Sequence, residues 1–168
     1  SASIQAAASQ KVDARLYRNS THGFELTWPG TWEINPLVQG PVFAIKNKDN
    51  SKLGVLSVSV GSLKTDNDSL MVQLEKDGGK SVLRGVKNRF GDAELIAFEK
   101  TRISGFPAFM TTMSYGVNNL DFQMKVIAIQ VVCVHAQKIY LLNFESPDFS
   151  FKDNHRIFKA IASSFNFR

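Results

Sequence analysis

Cysteine is nearly absent: one residue, Cys133, in 168. An internal disulfide is therefore excluded, and with it the class of small secreted domains that depend on such bridges. Cys133 lies in mid-strand among apolar residues, where a buried structural thiol is expected and a nucleophile is not. No apolar run approaches the roughly 20 residues that a membrane-spanning helix needs; the longest, Val126 to Val134, has the length of a strand. There is no arginine-rich run and no interleaving of basic and aromatic residues of the kind that stacks on bases. The 20 Lys and Arg outnumber the 15 Asp and Glu to give a net charge of +5. They are scattered, with Lys46, Lys48 and Lys52 in one place and Lys76, Lys80, Arg84, Lys87 and Arg89 in another. Such a charge favours an acidic partner surface but not nucleic acid. The first ten residues lack the basic start and apolar middle of a signal peptide. They fit the head of an exported chain already cleaved, and the alanines among them could also take up helix.

What is present is a hydrophobic fraction of 43% with 13 Phe, enough for one sizeable core. An N-terminal extension over residues 1–13 and a single domain over 14–168 are expected. Leu120 to Glu145 organises that domain. Leu120, Phe122, Met124, Val126 and Ala128 alternate with Asp121, Gln123 and Lys125, and then both faces become apolar, interrupted only by Gln130. That pattern predicts a long strand, half exposed at its start and buried on both sides at its end. His135 to Lys138 turns the chain, and Tyr140, Leu142 and Phe144 lie on one face of the return strand. This hairpin should be the centre of an antiparallel sheet.

The remaining elements follow in order. An edge strand is expected over Ala14 to Arg18, and a strand with Phe24, Leu26 and Trp28 inward ends at Pro29-Gly30. Strands near Val42 to Lys46 and Leu53 to Val60 extend this into a meander from Phe24 to Val60. Asp66, Asp68 and their neighbours supply helix N-caps. Leu70, Met71, Leu74, Gly78 and Val82 then predict one helix from about Asp68 to Leu83, with Gly78-Gly79 as the place where it could split. Two strands, Ala93 to Thr101 and Phe106 to Tyr115, precede the long hairpin. A final helix from Ser150 to Ser163, with Ser150 and Asp153 as a capping box, leads to a short strand at Ser164 to Phe167. Runs of antiparallel strands with two helices predict the α+β class: an antiparallel β-sheet covered by helices, as an α-β-α sandwich.

The familiar patterns of chemistry fail on context. Gly79-Lys80-Ser81 ends like a phosphate-binding loop, but Leu74 stands where its first glycine belongs. Asp66-x-Asp68 opens like a calcium loop, but Met71 replaces the tight-turn glycine. His22, His135 and His155 share no ligand spacing. There is no Gly-x-Ser-x-Gly elbow. No catalytic residue, metal ligand or cofactor is therefore expected.

The segment Gly23-Phe24 … Trp28-Pro29-Gly30-Thr31-Trp32 resembles the start of the PsbP-like family, a Gly-Phe strand running into aromatic-Pro-x-x-Trp. Ile103-Ser104-Gly105-Phe106-Pro107-Ala108 looks like that family's turn before its central strand, and Lys138 to Leu142 and Ser163-Ser164-Phe165 resemble its far end. The likeness spans about Tyr17 to Phe167. It implies a PsbP-like fold and a non-catalytic module that docks onto a larger protein assembly, in a periplasmic or otherwise extracytoplasmic compartment. No membrane span is implied, though a membrane-associated complex fits. Trp28, Trp32, Phe149, Phe151, Lys80 and Arg84 are the candidate partner-binding surface, to the extent that these aromatics are exposed together. An alternative is a small-molecule carrier whose apolar pocket on the concave sheet face is lined by Phe122, Met124 and Tyr140. A hydrolase would need a nucleophile beside His22 or His135.

Overall fold

A computed structural model describes residues 13–36 and 39–168. The expected extension over residues 1–13, apart from Asp13, lies outside the described residues. In chain order the elements are β1 (Ala14–Asn19), β2 (Phe24–Pro29), β3 (Trp32–Ile34), β4 (Phe43–Asn47), β5 (Val55–Ser62), α1 (Asn67–Asp77), α2 (Lys80–Lys87), β6 (Glu94–Ile103), β7 (Phe106–Asn119), β8 (Phe122–His135), β9 (Lys138–Pro147), α3 (Phe151–Ser164) and β10 (Asn166–Phe167). Every ladder is antiparallel. A seven-stranded sheet runs β3-β4-β5-β9-β8-β7-β6, and a three-stranded sheet runs β1-β2-β10. The β8–β9 hairpin does occupy the middle of the larger sheet.

Register decides what each face of the large sheet carries, because residues paired across strands share a face. Phe144 pairs with Ile129 on one side and Leu56 on the other. With Val131, Leu142, Val58 and Ile45 they form the main core, completed by α3 and the small sheet. Phe158 of α3 stacks on Phe144 with ring centroids 4.8 Å apart. Phe24, Leu26 and Trp28 of β2 enter the same core. The opposite face carries Met113, Tyr115, Val126 and Ala128, packed against Val82, Leu83 and Val86 of α2. Helices on both faces of one antiparallel sheet make the α-β-α sandwich, and the class is α+β.

Three local expectations are corrected. β2 does not continue into a meander with β4 and β5: it is the middle strand of the small sheet. Its inward Phe24 finds a stacking partner in Phe165, 5.0 Å away, across the face of the large sheet instead of at its edge. The helix expected over 68–83 is two helices, because Gly78 and Gly79 both take left-handed conformations, φ 63° and 85°. A larger residue at Gly79 would be strained, since the left-handed φ disfavours a side chain and a Cβ there would lie 3.0 Å from Thr111 Cγ2. The Ser150–Asp153 capping box does not form. Ser150 is buried, and its hydroxyl donates instead to the Lys52 carbonyl at 2.6 Å. Asp66 does cap α1, accepting from the Ser69 amide at 2.8 Å.

The two edges of the large sheet are unequal. β3 has only three residues. β6 has ten, but its register against β7 slips between Leu95 and Ala97, so the edge is bulged.

Candidate docking site: a projecting hairpin and a basic helix

The aromatic half of the expected surface is mostly inside. Trp28 is 8% exposed and Trp32 only 1%. Trp28 points inward with Phe24 and Leu26 and lies 5.3 Å from the Phe43 ring. Phe151 is half-buried against the main core, 6.2 Å from Phe144. Phe149 alone stands out, 67% exposed in the turn before α3. Lys80 and Arg84 are exposed on α2, which packs on the face of the sheet opposite α3. The six residues therefore do not form one patch.

The pocket trio is divided too. Tyr140 is buried in the main core, and its hydroxyl donates to the His22 carbonyl at 2.5 Å. Met124 packs with the other cluster, beside Val117. Phe122 is half-exposed, beyond the end of β9.

The histidines take structural places. His135 stacks on Phe167 with centroids 4.2 Å apart. His155 lies flat against Phe151, centroids 4.7 Å apart and planes 15° from parallel. No group of three or more His, Cys, Asp or Glu could hold a metal among the described residues. Cys133 is buried, and desolvation pushes its thiol up to about 11, so it is a poor nucleophile at neutral pH.

Burial, and then the charge of Lys159, hold His155 below its ordinary value near 6.5. The unfolded chain thus takes up this proton at a higher pH than the native chain does. Stability from neutral His155 is complete above about pH 6.5 and declines as the pH falls toward the native value. Urea unfolding at pH 5 and 7.5 should show a smaller acid loss in His155→Phe than in the wild type; equal losses would refute the assignment.

The feature that sequence reasoning passed over is the far end of the β7–β8 hairpin. β6 stops pairing with β7 at Ser114, and β9 stops pairing with β8 at Val126. β7 and β8 continue alone through Gly116↔Lys125, Val117↔Met124, Asn118↔Gln123 and Asn119↔Phe122. The result is a two-stranded arm that projects beyond its neighbouring strands, with Val117 and Met124 at its root still packed on the second cluster. At its tip Leu120 is 99% exposed, with half-exposed Phe122 two residues on. An isolated ribbon of two strands is marginal in water, and its base is buttressed accordingly. Phe90 stacks on Tyr115 at 4.1 Å, Arg89 lies 5.5 Å over the Phe90 ring, and the Asp92 carboxylate accepts from the Gly116 amide at 3.0 Å. A Cβ at Gly116 would come within 2.9 Å of that carboxylate, so glycine is what lets Asp92 approach.

Those buttresses follow α2 directly. Lys80, Arg84 and Lys87 recur at helical spacing along its solvent side, Arg89 follows, and no acid intervenes between Gly78 and Gly91. Asp77 is occupied at the start of α2. Its hydrogen bonds from the Ser81 amide and hydroxyl, more than the charges of Arg84 and Lys80, hold it below the usual carboxylate range. An apolar tip and a basic helix thus belong to one supported unit. The sequence signal was the apolar Leu120 at a turn, in a hairpin whose strands are longer than their neighbours.

Compared with known proteins, the chain matches the PsbP family model over residues 13–167. No curated protein matches it in a direct search. Its fold is similar to the solution structure of cyanobacterial PsbP (CyanoP) from Synechocystis sp. PCC 6803, with TM-score 0.69, 17% identity and 93% of each chain covered. It is also similar to LpqN, a protein involved in cell envelope biogenesis of Mycobacterium tuberculosis, with TM-score 0.55 and 13% identity over 96% of this chain and 95% of that one. A single-substitution mutant of the protein Mog1 has TM-score 0.55 at 9% identity, over 93% and 96%. At these identities the likeness is one of fold.

Proposed function

The chain belongs to the PsbP family, and from that premise we propose that it is a non-catalytic module that docks onto a larger protein assembly in an envelope or lumenal compartment. LpqN, similar in fold and involved in cell envelope biogenesis, supports the compartment. The observation that carries the docking role is the arm. A wholly exposed leucine near a half-exposed phenylalanine, on a ribbon buttressed at its base, is the geometry of an anchor that fills a pocket on a partner. Asp121 lies between the two in sequence. A charge at that point resists burial in lipid and suits a protein groove that offers a donor. The basic side of α2 adds long-range attraction to an acidic rim.

Capture from native extract with quantitative mass spectrometry tests this. Leu120→Ser/Phe122→Ser should reduce recovery of a specific partner at least tenfold, in line with the loss of a hot-spot pair. Phe149→Ser, in the turn before α3, should leave recovery unchanged. Lys80→Glu/Arg84→Glu should weaken capture most at low salt. Identical partner sets from wild type and the arm variant would refute the docking role of the arm.

A further inference from the structure

Gln130 interrupts the apolar run of β8, and register explains what it does there. Thr111, Gln130, Asn143 and Ser57 are successive cross-strand partners, so they form one polar row across β7, β8, β9 and β5. At one end Thr111 is buried beneath the α1–α2 junction at Gly79. Gln130 then donates from Nε2 to the Asn143 Oδ1 at 2.8 Å. That bond turns the Asn143 amide so that its NH2 group is free to donate elsewhere.

The row runs out into a cleft of about 520 Å³ on the part of this face that α1 and α2 leave uncovered. Ser57, Ser59, Asn143, Glu145 and Arg89 line it. Among the described residues the hydroxyls of Ser57 and Ser59 and the NH2 of Asn143 have no hydrogen-bond partner. Desolvation, and then the charge of Glu145, push the Tyr115 hydroxyl up, and Phe90 stacks on the Tyr115 ring. Arg89, whose guanidinium lies over the Phe90 ring of the same buttress, also lines the cleft. The two opposite charges share the cleft without pairing with each other. A solvated sheet face needs polar residues, but it does not need a carboxylate and a guanidinium that leave each other unpaired, with a row of free donors beside them.

We propose that this cleft binds a small zwitterion, a free amino acid or dipeptide, with its carboxylate at Arg89, its ammonium at Glu145 and its polar groups over Ser57, Ser59 and Asn143. Complementarity to both charges selects this class over a neutral sugar, which would use neither charge as such, or a simple anion, which would leave Glu145 unused. The cleft volume accommodates such a ligand and is too small for a folded partner segment.

The test is amide-shift titration by NMR of the uniformly labelled full chain. The probes are pooled free amino acids and glycylglycine at millimolar concentration, with N-acetylated, C-amidated counterparts beside them. Saturable shifts at Ser57, Ser59, Asn143 and Glu145 are expected from the free zwitterions and not from the capped forms. Arg89→Gln and Glu145→Gln should each weaken the response at least tenfold, the dispersion of the same spectra reporting that both fold. Ser59→Leu, which fills the cleft from an open strand face, should abolish it, while Lys80→Gln should leave it intact. No saturable shift from any free zwitterion, or equal shifts from the capped forms, overturns the proposal; neither outcome bears on the arm, which lies outside the cleft.

Discussion

Phe144→Ala is expected to lower stability by about 4 kcal/mol, the magnitude that truncating a fully buried aromatic entails. Phe144 is at the centre of β9, itself the middle strand of seven. It is closed in by Ile129 and Leu56 across the strands and by Phe158 stacked above at 4.8 Å. Neither the sheet nor α3 can collapse into the space without breaking a ladder. For a chain of this length the loss corresponds to a fall in Tm of roughly 8–16 °C. Phe144→Leu, which keeps most of the volume, should lose much less. Thermal and urea unfolding measure both, and a loss below about 1 kcal/mol for the alanine variant would mean that this site is not the centre of the core.

Asn154→Ala is expected to cost about 3 kcal/mol, for a different reason. Asn154 is completely buried on the first turns of α3. Its amide donates to the Lys52 carbonyl and to the Ser146 hydroxyl, both at 2.9 Å, and its Oδ1 accepts from Asn47 Nδ2 at 2.9 Å. One side chain therefore ties α3 to the β4–β5 turn and to the end of β9. Truncation strands the Asn47 donor and opens a void, and each unsatisfied buried group costs about 1–3 kcal/mol. The packing is tight enough that a Cβ at Gly54 would fall 2.5 Å from the Asn154 Cγ. Asn154→Asp is the informative companion. A carboxylate there faces oxygens where the amide offered hydrogens, so its native pKa rises above the unfolded one. That destabilisation is full at neutral pH and is relieved on acidification through the native pKa. Urea midpoints at pH 7 and pH 5 check both variants; an alanine variant as stable as the wild type would remove Asn154 from this role.

The strands were legible because alternation is a local signal. Phe24, Leu26 and Trp28 announce β2, and Leu56, Val58 and Val60 announce β5. The double-sided apolar run after Val126 announces a strand covered on both faces, as β8 is. Alternation says which side chains point inward, but not which layer they meet. It therefore placed β2 in the wrong sheet. The surface candidacy of Trp28 and Trp32 rests on their place beside a turn, against the alternation that already turns Trp28 inward, and both are core. Ser150 and Asp153 have the spacing of a capping box, yet the Lys52 carbonyl, 98 residues earlier in the chain, claims the serine. The arm was illegible for a related reason: the run from Leu120 gives the length of β8 but not where β6 and β9 stop. The polar row of Thr111, Gln130, Asn143 and Ser57 is a property of register among four strands, and a single strand shows only one member of it.

The bulged β6 and the three-residue β3 also bear on how the protein behaves when crowded. Any sheet that is not closed offers its outermost backbone amides and carbonyls to a stranger's chain, which is how fibrils start. Here one border is too brief to template a neighbour, and the other is kinked and carries Glu94, Glu99, Lys100 and Arg102. Molecules packed at high local density can therefore jostle flank to flank without zipping together, and an attachment made through the hairpin tip leaves that safeguard untouched.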